Sequence, residues 1–318
     1  MRHSPDNLAA RPAAPVPRVA LIGDRVEWHT RALAKALAGL GARAIAVRLQ
    51  DCRFETHDPP GLNVAGFGGR VPDAVLVRSM SGGSFEAVTL RLGILHALRE
   101  IGVMVWNDAR AIERCVDKSM TSFLLGRAGI PSPSTWVAES VAVAQAVVQR
   151  ETVGGPLVLK PLFGSQGRNL RLIRAVDDLP DPGEVAGVYY LQRYVGGRCD
   201  DGFRDFRLLV SGGRVVAAMI RHATHWITNV KRGGRPLAMV PDAAMKELAV
   251  RAAAAVGANF AGVDIVHDAD GRPTVLEVNS MPAWSGLQKV ASVDIAATLA
   301  ADLVAALVVR TKREATQR

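Results

Sequence analysis

Three residues late in the sequence carry oxygen-bearing side chains at a spacing that could hold a metal ion. Asp264 lies in GVDIV, and Glu277 and Asn279 lie two residues apart in VLEVNS. The Asp270-Gly271 pair between these stretches favours a two-residue hairpin turn, because both turn positions tolerate positive φ. Counting outward from that turn places Asp264 opposite Glu277, with Asn279 on the same face of the hairpin.

Two directly opposed carboxylates repel each other unless one holds a proton or a cation lies between them. Carboxylate and amide oxygens are hard ligands that suit Mg²⁺. The alternative is a solvated strand face on which the acids have no ligand. In either case the same register puts four apolar side chains on the opposite face, where we expect them to be buried: Val263, Ile265, Leu276 and Val278.

A lysine followed by a glycine-rich loop supplies a complementary group in LVLKPLFGSQG. Lys160 ends an apolar strand, and the loop after it contains Gly164, Ser165 and Gly167. Glycines let backbone N–H groups approach phosphate oxygens, and serine adds a hydroxyl donor. The spacing does not match a P-loop, so an ordinary hairpin is the alternative. Lys118, at the start of a predicted helix, has the ordinary alternative of a solvated lysine.

The middle of the chain gathers further basic and amide side chains: Arg207, Arg221, Asn229 and Arg232. These groups could face an anionic ligand. Asp205 and Arg207 lie on the same face of one predicted strand, so a simple ion pair between them is the alternative.

Two kinds of architecture must position these residues. Short apolar strands alternate with helical spacing over residues 18–108, which predicts an α/β domain with an open parallel sheet. Later strands are joined mainly by hairpins, which predicts an α+β arrangement of antiparallel sheets. We expect lobes at 109–190 and 191–310, with tails at 1–17 and 311–318.

The composition limits the partners. Lys and Arg number 39 against 30 Asp and Glu, a net charge of +9, which favours acidic partners such as nucleotides or carboxylates. No basic block is dense enough to favour nucleic acid. The three cysteines form no C-x-x-C pair, which predicts reduced thiols and a cytoplasmic protein. No apolar run reaches 18 residues, so we expect no membrane span.

Several segments, taken in order, resemble the ATP-grasp carboxylate–amine ligases. They are DKSMTSFLLGRAGIPSPST, LVLKPLFGSQG, LQRYV, DFRLLVSGGRVVAAMIR, TNVKRGG, GVDIV and LEVNSMPAWSGLQKVASVDIA. The resemblance is strongest to the RimK-like α-L-glutamate ligases and covers about residues 70–305. It implies an ATP-grasp fold preceded by a parallel-sheet domain.

The resemblance also implies a role for each candidate residue. Lys118 and Lys160 would contact the phosphates of ATP, beneath a loop of Gly164, Ser165, Gln166 and Gly167. The backbone of Gln192, Arg193, Tyr194 and Val195 would bind adenine, with Asp205 near the ribose. Four side chains would face the phosphates and the acyl intermediate, with the two catalytic arginines last: Arg207, Asn229, Arg221 and Arg232. Asp264, Glu277 and Asn279 would hold Mg²⁺, as two ions, with Mn²⁺ as a substitute.

The implied activity is ATP-dependent amide formation through an acyl phosphate. L-Glutamate would be added to a carboxylate of a small cofactor precursor of the pterin or methylofuran type. One alternative is a ligase that adds glutamate to a protein tail, and another is an ATP-binding regulatory protein without turnover. The family also implies a homo-oligomer.

The sequence departs from the family pattern at two places. Arg193 stands where the family usually has an acidic residue that contacts adenine. After EVN the family commonly reads A-S-P-G, whereas this chain reads S-M-P-A-W, which changes the expected acceptor pocket. Trp284 in that stretch could stack on an acceptor or pack in the core.

Overall fold

The structure is a computed structural model, and it describes residues 16–164, 167–197 and 202–316. In these ranges no helix has the length and apolar character needed to cross a bilayer. The first part of the chain contains eight elements: β1 (Arg18–Ile22), α1 (Trp28–Gly39), β2 (Arg43–Val47), β3 (Arg53–Phe54), β4 (Leu62–Asn63), β5 (Ala74–Val77), α2 (Phe85–Glu100) and β6 (Met104–Trp106).

The first part forms the predicted open parallel sheet, with strand order β2-β1-β5-β6. Its strands are almost fully apolar because both faces are covered. Helix α1 buries Leu33 and Leu37 and leaves Trp28 half exposed. From β1 the chain goes to β2 on one side and later to β5 on the other. The order therefore reverses between β1 and β5, where the carboxyl ends of the two strands flank a crevice.

The second part contains seven elements: α3 (Ala109–Val116), α4 (Lys118–Arg127), β7 (Thr135–Ala138), α5 (Val141–Glu151), β8 (Leu157–Lys160), β9 (Arg171–Ile173) and β10 (Tyr189–Arg193). Its strands form an antiparallel sheet in the order β7-β10-β8-β9. The predicted pair of strands around the Gly164 loop is confirmed as β8 and β9.

Helices α3 and α4 meet at Asp117. The Asp117 carboxylate accepts hydrogen bonds from the backbone N–H groups of Ser119 and Met120, so it caps α4. Lys118 is therefore the first residue of a helix, as the sequence predicts.

The third part contains eight elements: β11 (Phe203–Ser211), β12 (Arg214–Ala223), β13 (Arg235–Ala238), α6 (Ala243–Val256), β14 (Phe260–His267), β15 (Pro273–Asn279), α7 (Ser285–Gln288) and α8 (Ile295–Thr316). The strands form an antiparallel sheet in the order β13-β12-β11-β14-β15. Strands β11 and β12 form a hairpin that turns at Gly212-Gly213. Helix α6 covers one face of this sheet, and α8 packs between its other face and α1.

The β14–β15 hairpin has the predicted pairing of Asp264 with Glu277, but it reaches that pairing by a different path. The two-residue turn is wrong: Asp268 pairs with Arg272, and Gly271 lies between them with φ +76°. This longer loop shifts the register by one residue. A bulge then restores it, because Ile265 pairs with Val275.

The bulge changes which side chains are buried. Val263, Ile265 and Val278 lie in the core as predicted, but Val275 takes the place expected for Leu276. Leu276 instead lines the cleft on the same side as Glu277. An extra residue in one strand breaks the alternation of faces, so two neighbours point the same way.

A single buried amide links the parallel sheet to the third sheet. Asn107 follows β6 and is fully buried. Its Nδ2 donates to the carbonyl oxygens of Phe260 and Ser280 at 2.5 and 2.6 Å. Its Oδ1 accepts from the backbone N–H groups of Asn259 and Phe260 at 2.8 and 3.0 Å. One side chain thus fixes both the start of β14 and the end of β15.

We expect Asn107→Ala to lower the free energy of unfolding by about 3 kcal/mol, because buried backbone groups lose their partners at about 1–3 kcal/mol each. Urea denaturation measures the loss. Asn63→Ala is the matched control, since Asn63 makes one side-chain hydrogen bond, to Glu55, and should cost less than about 1 kcal/mol. Equal losses for the two variants would contradict the linking role of Asn107.

Candidate active site

A cleft lies between the second and third sheets. Strands β8 and β10 supply one wall, and β11, β12, β14 and β15 supply the other. Most of the predicted site residues line it: Lys118, Lys160, Gly164, Gly167, Gln192, Arg193, Tyr194, Val195, Asp205, Arg221, Asn229, Asp264 and Glu277. Arg207, Arg232 and Asn279 do not line it, and Ser165 and Gln166 lie outside the described residues. The fold therefore brings together groups spread over about half of the chain.

Two lysines meet at one end of the cleft without an acidic partner among the described residues. The Lys160 ammonium donates to Gln192 Oε1 at 2.6 Å. The Lys118 ammonium donates to the carbonyl oxygens of Leu162 and Gly164 at 3.2 and 2.9 Å. Burial lowers the pKa of both amines, and the charge of Glu277 opposes that shift in both. Neutral oxygen acceptors offset the cost of removing an ammonium group from water only in part. Both lysines could therefore bind an anion favourably.

Four charged side chains form a continuous ion-pair network on the opposite wall. Arg207 donates from Nε and Nη2 to the two oxygens of Asp264, both at 2.6 Å. Arg221 binds both oxygens of Asp205 and also lies 2.9 Å from Asp264. Each pair follows strand register, since Asp205 opposes Arg221 and Arg207 opposes Asp264. A simple Asp205–Arg207 pair along one strand is therefore wrong.

The network fixes the charge states. Burial by itself would raise the pKa of Asp264, but Arg207 and Arg221 outweigh it and hold that pKa well below its usual range. Burial likewise would lower the pKa of Arg221, and Asp205 and Asp264 reverse the shift. Asp264 is thus ionised, with arginines as its counterions. Repulsion between opposed acids therefore does not by itself require a metal ion here.

The donor set nevertheless fits Mg²⁺. Glu277 is about 31% exposed at its side chain and lies 4.0 Å from the nearest arginine nitrogen, on Arg207. Its Oε1 accepts one hydrogen bond, from Asn279 Nδ2 at 3.0 Å. Each carboxylate oxygen has a second lone pair, so Asp264 can hold its arginines and still ligate a cation. Asp264, Glu277 and Asn279 would together offer hard oxygen ligands beside the two lysines.

The segment from Gln192 to Val195 lines the cleft next to Lys160. Its Arg193 and Tyr194 amides already donate to the carbonyl oxygens of Ser134 and Pro156. The predicted backbone contacts to adenine would therefore have to come from the other N–H and C=O groups of residues 192–195. Gln192 itself is turned to Lys160, and its Nε2 donates to Thr135 and Tyr190 at 3.2 Å.

The Arg193 side chain is held by groups behind this segment. Its Nη1 donates to the carbonyl oxygens of Glu151 and Gly155 at 2.8 and 2.7 Å. Its Nη2 donates to the Glu151 carboxylate at 3.0 Å. The guanidinium also lies 5.7 Å from the centre of the Trp136 ring. The departure from the family pattern thus replaces an acidic group by a cation that secures the end of α5.

Close packing of two loops explains one of the predicted glycines. Gly167 has φ +66°, and a Cβ at this position would lie 2.5 Å from Asn229 Oδ1 and 2.7 Å from Ile227. Only glycine meets both demands. Gly167 therefore packs directly against the loop that carries Ile227 and Asn229, at the edge of the cleft.

Several cleft residues were missed by the sequence analysis. They are mostly apolar or aromatic: Val158, Leu170, Phe203, Trp226, Ile227, Val266 and Leu276. Trp226 forms an edge contact with Tyr194, with ring centres 6.0 Å apart. An aromatic residue in the polar stretch HATHWITN was the one available signal for Trp226. The others look like ordinary strand residues until the two sheets face each other.

Trp284 is part of the core and not of this cleft. It is fully buried, and its ring packs edge-on against His29 and Phe260. Of the two roles left open by the sequence, the core role holds. Arg232, predicted to be catalytic, lies exposed on the short turn Val230–Arg232 and does not line the cleft.

Comparison with known proteins places the chain in a family. The family model for the RimK-like ATP-grasp domain matches residues 115–303. A relative from Methanosarcina acetivorans named tetrahydromethanopterin:alpha-L-glutamate ligase is 33% identical, over 68% of this chain and 74% of that protein. A probable alpha-L-glutamate ligase from Alkalilimnicola ehrlichii is 35% identical, over 69% of this chain and 76% of that protein.

The fold has solved counterparts as well. The ATP-grasp ligase PsnB, complexed with a minimal precursor, Mg and ADP, superposes with a TM-score of 0.68. The match covers 91% of this chain and 98% of PsnB at 24% identity, which shows the shared ATP-grasp fold. Together with the sequence relatives, this establishes that the chain belongs to the RimK-like ATP-grasp family and is an ATP-dependent ligase.

Proposed function

We propose that this enzyme uses ATP and Mg²⁺ to join L-glutamate to a carboxylate of a pterin-type cofactor precursor. The observation that carries the proposal is the composition of the cleft. Among the described residues, its two lysine ammonium groups contact only neutral oxygen atoms, and the same cleft is lined by the carboxylates of Glu277 and Asp264. The relatives named tetrahydromethanopterin:alpha-L-glutamate ligase support glutamate as the amine and a pterin as the acceptor.

In the proposed reaction an acceptor carboxylate oxygen attacks the γ-phosphorus of ATP, and the bond to ADP breaks. The amine of glutamate then attacks the carbonyl carbon of the acyl phosphate. Inorganic phosphate leaves, and the amine gives up a proton. Lys118 and Lys160 neutralise the phosphate oxygens throughout, and the Gly164–Gly167 loop excludes water.

Asp264, Glu277 and Asn279 are the residues that would hold Mg²⁺ in this proposal, as two ions that Mn²⁺ can replace. When bound, the metal spreads the negative charge of the β- and γ-phosphate oxygens. Arg207 and Arg221 keep Asp264 ionised and fixed in orientation, which is what a metal-binding carboxylate requires.

Incubation with ATP, Mg²⁺, L-glutamate and tetrahydromethanopterin should add one or more glutamyl residues to the cofactor and release ADP and phosphate. Mass spectrometry of the cofactor detects the product, and omission of glutamate or ATP should abolish it. A flexible peptide with a C-terminal glutamate is the comparison acceptor. Modification of the peptide alone would replace this proposal by a protein-tail ligase.

We expect Glu277→Gln to lower kcat by about 100-fold or more and to weaken Mg²⁺ binding by at least about 10-fold, because a charged ligand becomes neutral. Glu277 is the better target, because loss of the Asp264 charge would remove the two-point partner of Arg207 and one of the two carboxylates that contact Arg221. Steady-state assays over a Mg²⁺ titration measure both effects.

The matched control is Asp270→Asn, which removes one acidic charge at the exposed end of the same hairpin. Its activity should equal that of the unmodified protein. An unchanged Mg²⁺ dependence in Glu277→Gln would remove the metal site from this hairpin.

Lys160→Met should weaken ATP binding about 10- to 100-fold, because a charge-assisted contact to phosphate contributes about 1.5–3 kcal/mol. Since burial lowers the pKa of Lys160, ATP affinity of the unmodified protein should also fall as alkaline pH deprotonates the amine. Calorimetric titration measures both changes. The control is Lys246→Met, on the exposed face of α6, which should bind ATP as the unmodified protein does. If Lys160→Met bound ATP as tightly as Lys246→Met, Lys160 would have no role in phosphate binding.

A further inference from the structure

A second cation, outside the ATP cleft, lies at the reversal point of the parallel sheet. Arg78 directly follows β5, and its backbone N–H donates to the Ile22 carbonyl at the end of β1 at 2.8 Å. Its side chain therefore starts at the carboxyl ends of the two strands between which the strand order reverses. Crevices at such points are the usual ligand sites of open α/β sheets.

Arg78 is buried without an anionic contact among the described residues. Only 7% of the residue is exposed, and Nε and Nη1 have no hydrogen-bond partner in the part of the chain that the structure describes. Burial lowers the pKa of the guanidinium to about 10, and the charge of the exposed Glu27 opposes that shift. The group is thus cationic at neutral pH, with buried donors that lack an acceptor, which is a costly arrangement for a purely structural arginine.

The side chain nearest to Arg78 supplies a further donor. The guanidinium carbon of Arg78 lies 4.3 Å from the centre of the Trp284 ring. Trp284 Nε1 is also buried, with no hydrogen-bond partner among the described residues. His29 Nε2 accepts from the Trp284 backbone N–H at 3.2 Å. Burial, followed by the charges of Arg78 and Lys231, lowers the pKa of His29 to about 4, so the imidazole is neutral.

Arg78 lies near both ends of the β14–β15 hairpin. Its guanidinium carbon is 6.0 Å from the centre of the Phe260 ring, and Phe260 begins β14, which carries Asp264. Trp284 follows β15, which carries Glu277. About 13 Å of strand separates Phe260 from Asp264, at about 3.3 Å per residue. A substrate that reacts beside Asp264 would therefore have to be extended to place a second group at Arg78.

We propose that Arg78, with Trp284 Nε1, binds a non-reacting carboxylate of a substrate and so selects a dicarboxylic substrate for ligation. Carboxylate is the ligand chemistry that fits, since a guanidinium and an adjacent N–H donor match its two oxygens. The carboxylate belongs either to the incoming glutamate or to the acceptor. The inference rests on the proposed ligation and adds to it the residue that recognises the acid.

Thermal denaturation of the whole protein tests binding without turnover. Glutarate, a dicarboxylate that lacks an amine, should raise the Tm of the unmodified protein and not that of Arg78→Gln, whereas ATP with Mg²⁺ should raise the Tm of both. Arg91→Gln is the matched control, because Arg91 lies at the same sheet edge but donates to the carbonyl oxygens of Ser81 and Gly82. It should keep the glutarate response.

The intrinsic stabilities separate a binding role from a structural one. Loss of a compensated cation should lower the Tm of Arg91→Gln, whereas loss of an uncompensated one should leave the Tm of Arg78→Gln unchanged or higher. If Arg78→Gln does not fold, Arg78→Lys keeps the charge without the planar fork and should show a reduced glutarate response. A full glutarate response in either Arg78 variant, or none in the unmodified protein, would overturn the proposal.

Steady-state kinetics distinguish the two sources of the carboxylate. In Arg78→Gln an increase in KM of about 10-fold or more for L-glutamate alone assigns the site to the amino acid, and the same increase for tetrahydromethanopterin alone assigns it to the acceptor. Trp284→Phe keeps the ring and loses the donor, and should raise the same KM. A fall in kcat with every KM unchanged would overturn the carboxylate role.

Failure of the proposed ligation gives a different result from failure of this site. A protein that never modifies tetrahydromethanopterin but still shows a glutarate response dependent on Arg78 refutes the proposed acceptor and retains the carboxylate site.

Discussion

The third sheet depends on an alternation of charges across three adjacent strands. Asp205, Arg221, Asp264 and Arg207 contact one another in that order, and all four are buried or nearly so. Loss of one member of such a group leaves a buried charge unpaired, at a cost of about 3–5 kcal/mol. The network therefore fixes the register of β11 against both β12 and β14, and it fixes the orientation of the Asp264 carboxylate toward the cleft.

The cations removed from solvent in this protein fall into two classes, according to whether a carboxylate contacts them. Arg207 and Arg221 contact carboxylates and hold the site together. Lys160 and Arg78 are buried and Lys118 is partly buried, all without an acidic contact among the described residues, and a ligand could supply the missing negative charge. A protein with such groups gives up stability in the free state for tighter binding of an anion, a common trade at functional sites.

The parallel sheet and the β14–β15 hairpin are connected by specific contacts within a shared apolar core. Asn107 joins the end of β6 to Phe260 and Ser280, while Trp284 packs between His29, Phe260 and Arg78. The S-M-P-A-W stretch that departs from the family pattern thus packs on the first part of the chain instead of lining the cleft between the second and third sheets. Its tight fit also explains Gly262, where a Cβ would lie 2.9 Å from Pro282.

Local patterns were sufficient where one physical effect dominated. Short apolar strands alternating with helical spacing predicted the parallel sheet. The Asp264–Glu277 pairing was also correct, although a longer turn and a compensating bulge replaced the simple turn behind it. Bulges depend on packing against other strands, so the sequence of one hairpin does not reveal them, and Leu276 was consequently assigned to the wrong face.

The sequence by itself determined the family, the order of the elements and the residue types that could bind phosphate and metal, because periodicity and local turn chemistry act over a few residues. Only the tertiary structure decided which charges neutralise one another. Pairing across β11, β12 and β14 joins residues up to 57 positions apart, and burial sets the cost of leaving any of them unpaired. For the same reason only the fold shows that Arg78 is buried without a carboxylate contact among the described residues, because β5, His29 and Trp284 are distant in the sequence.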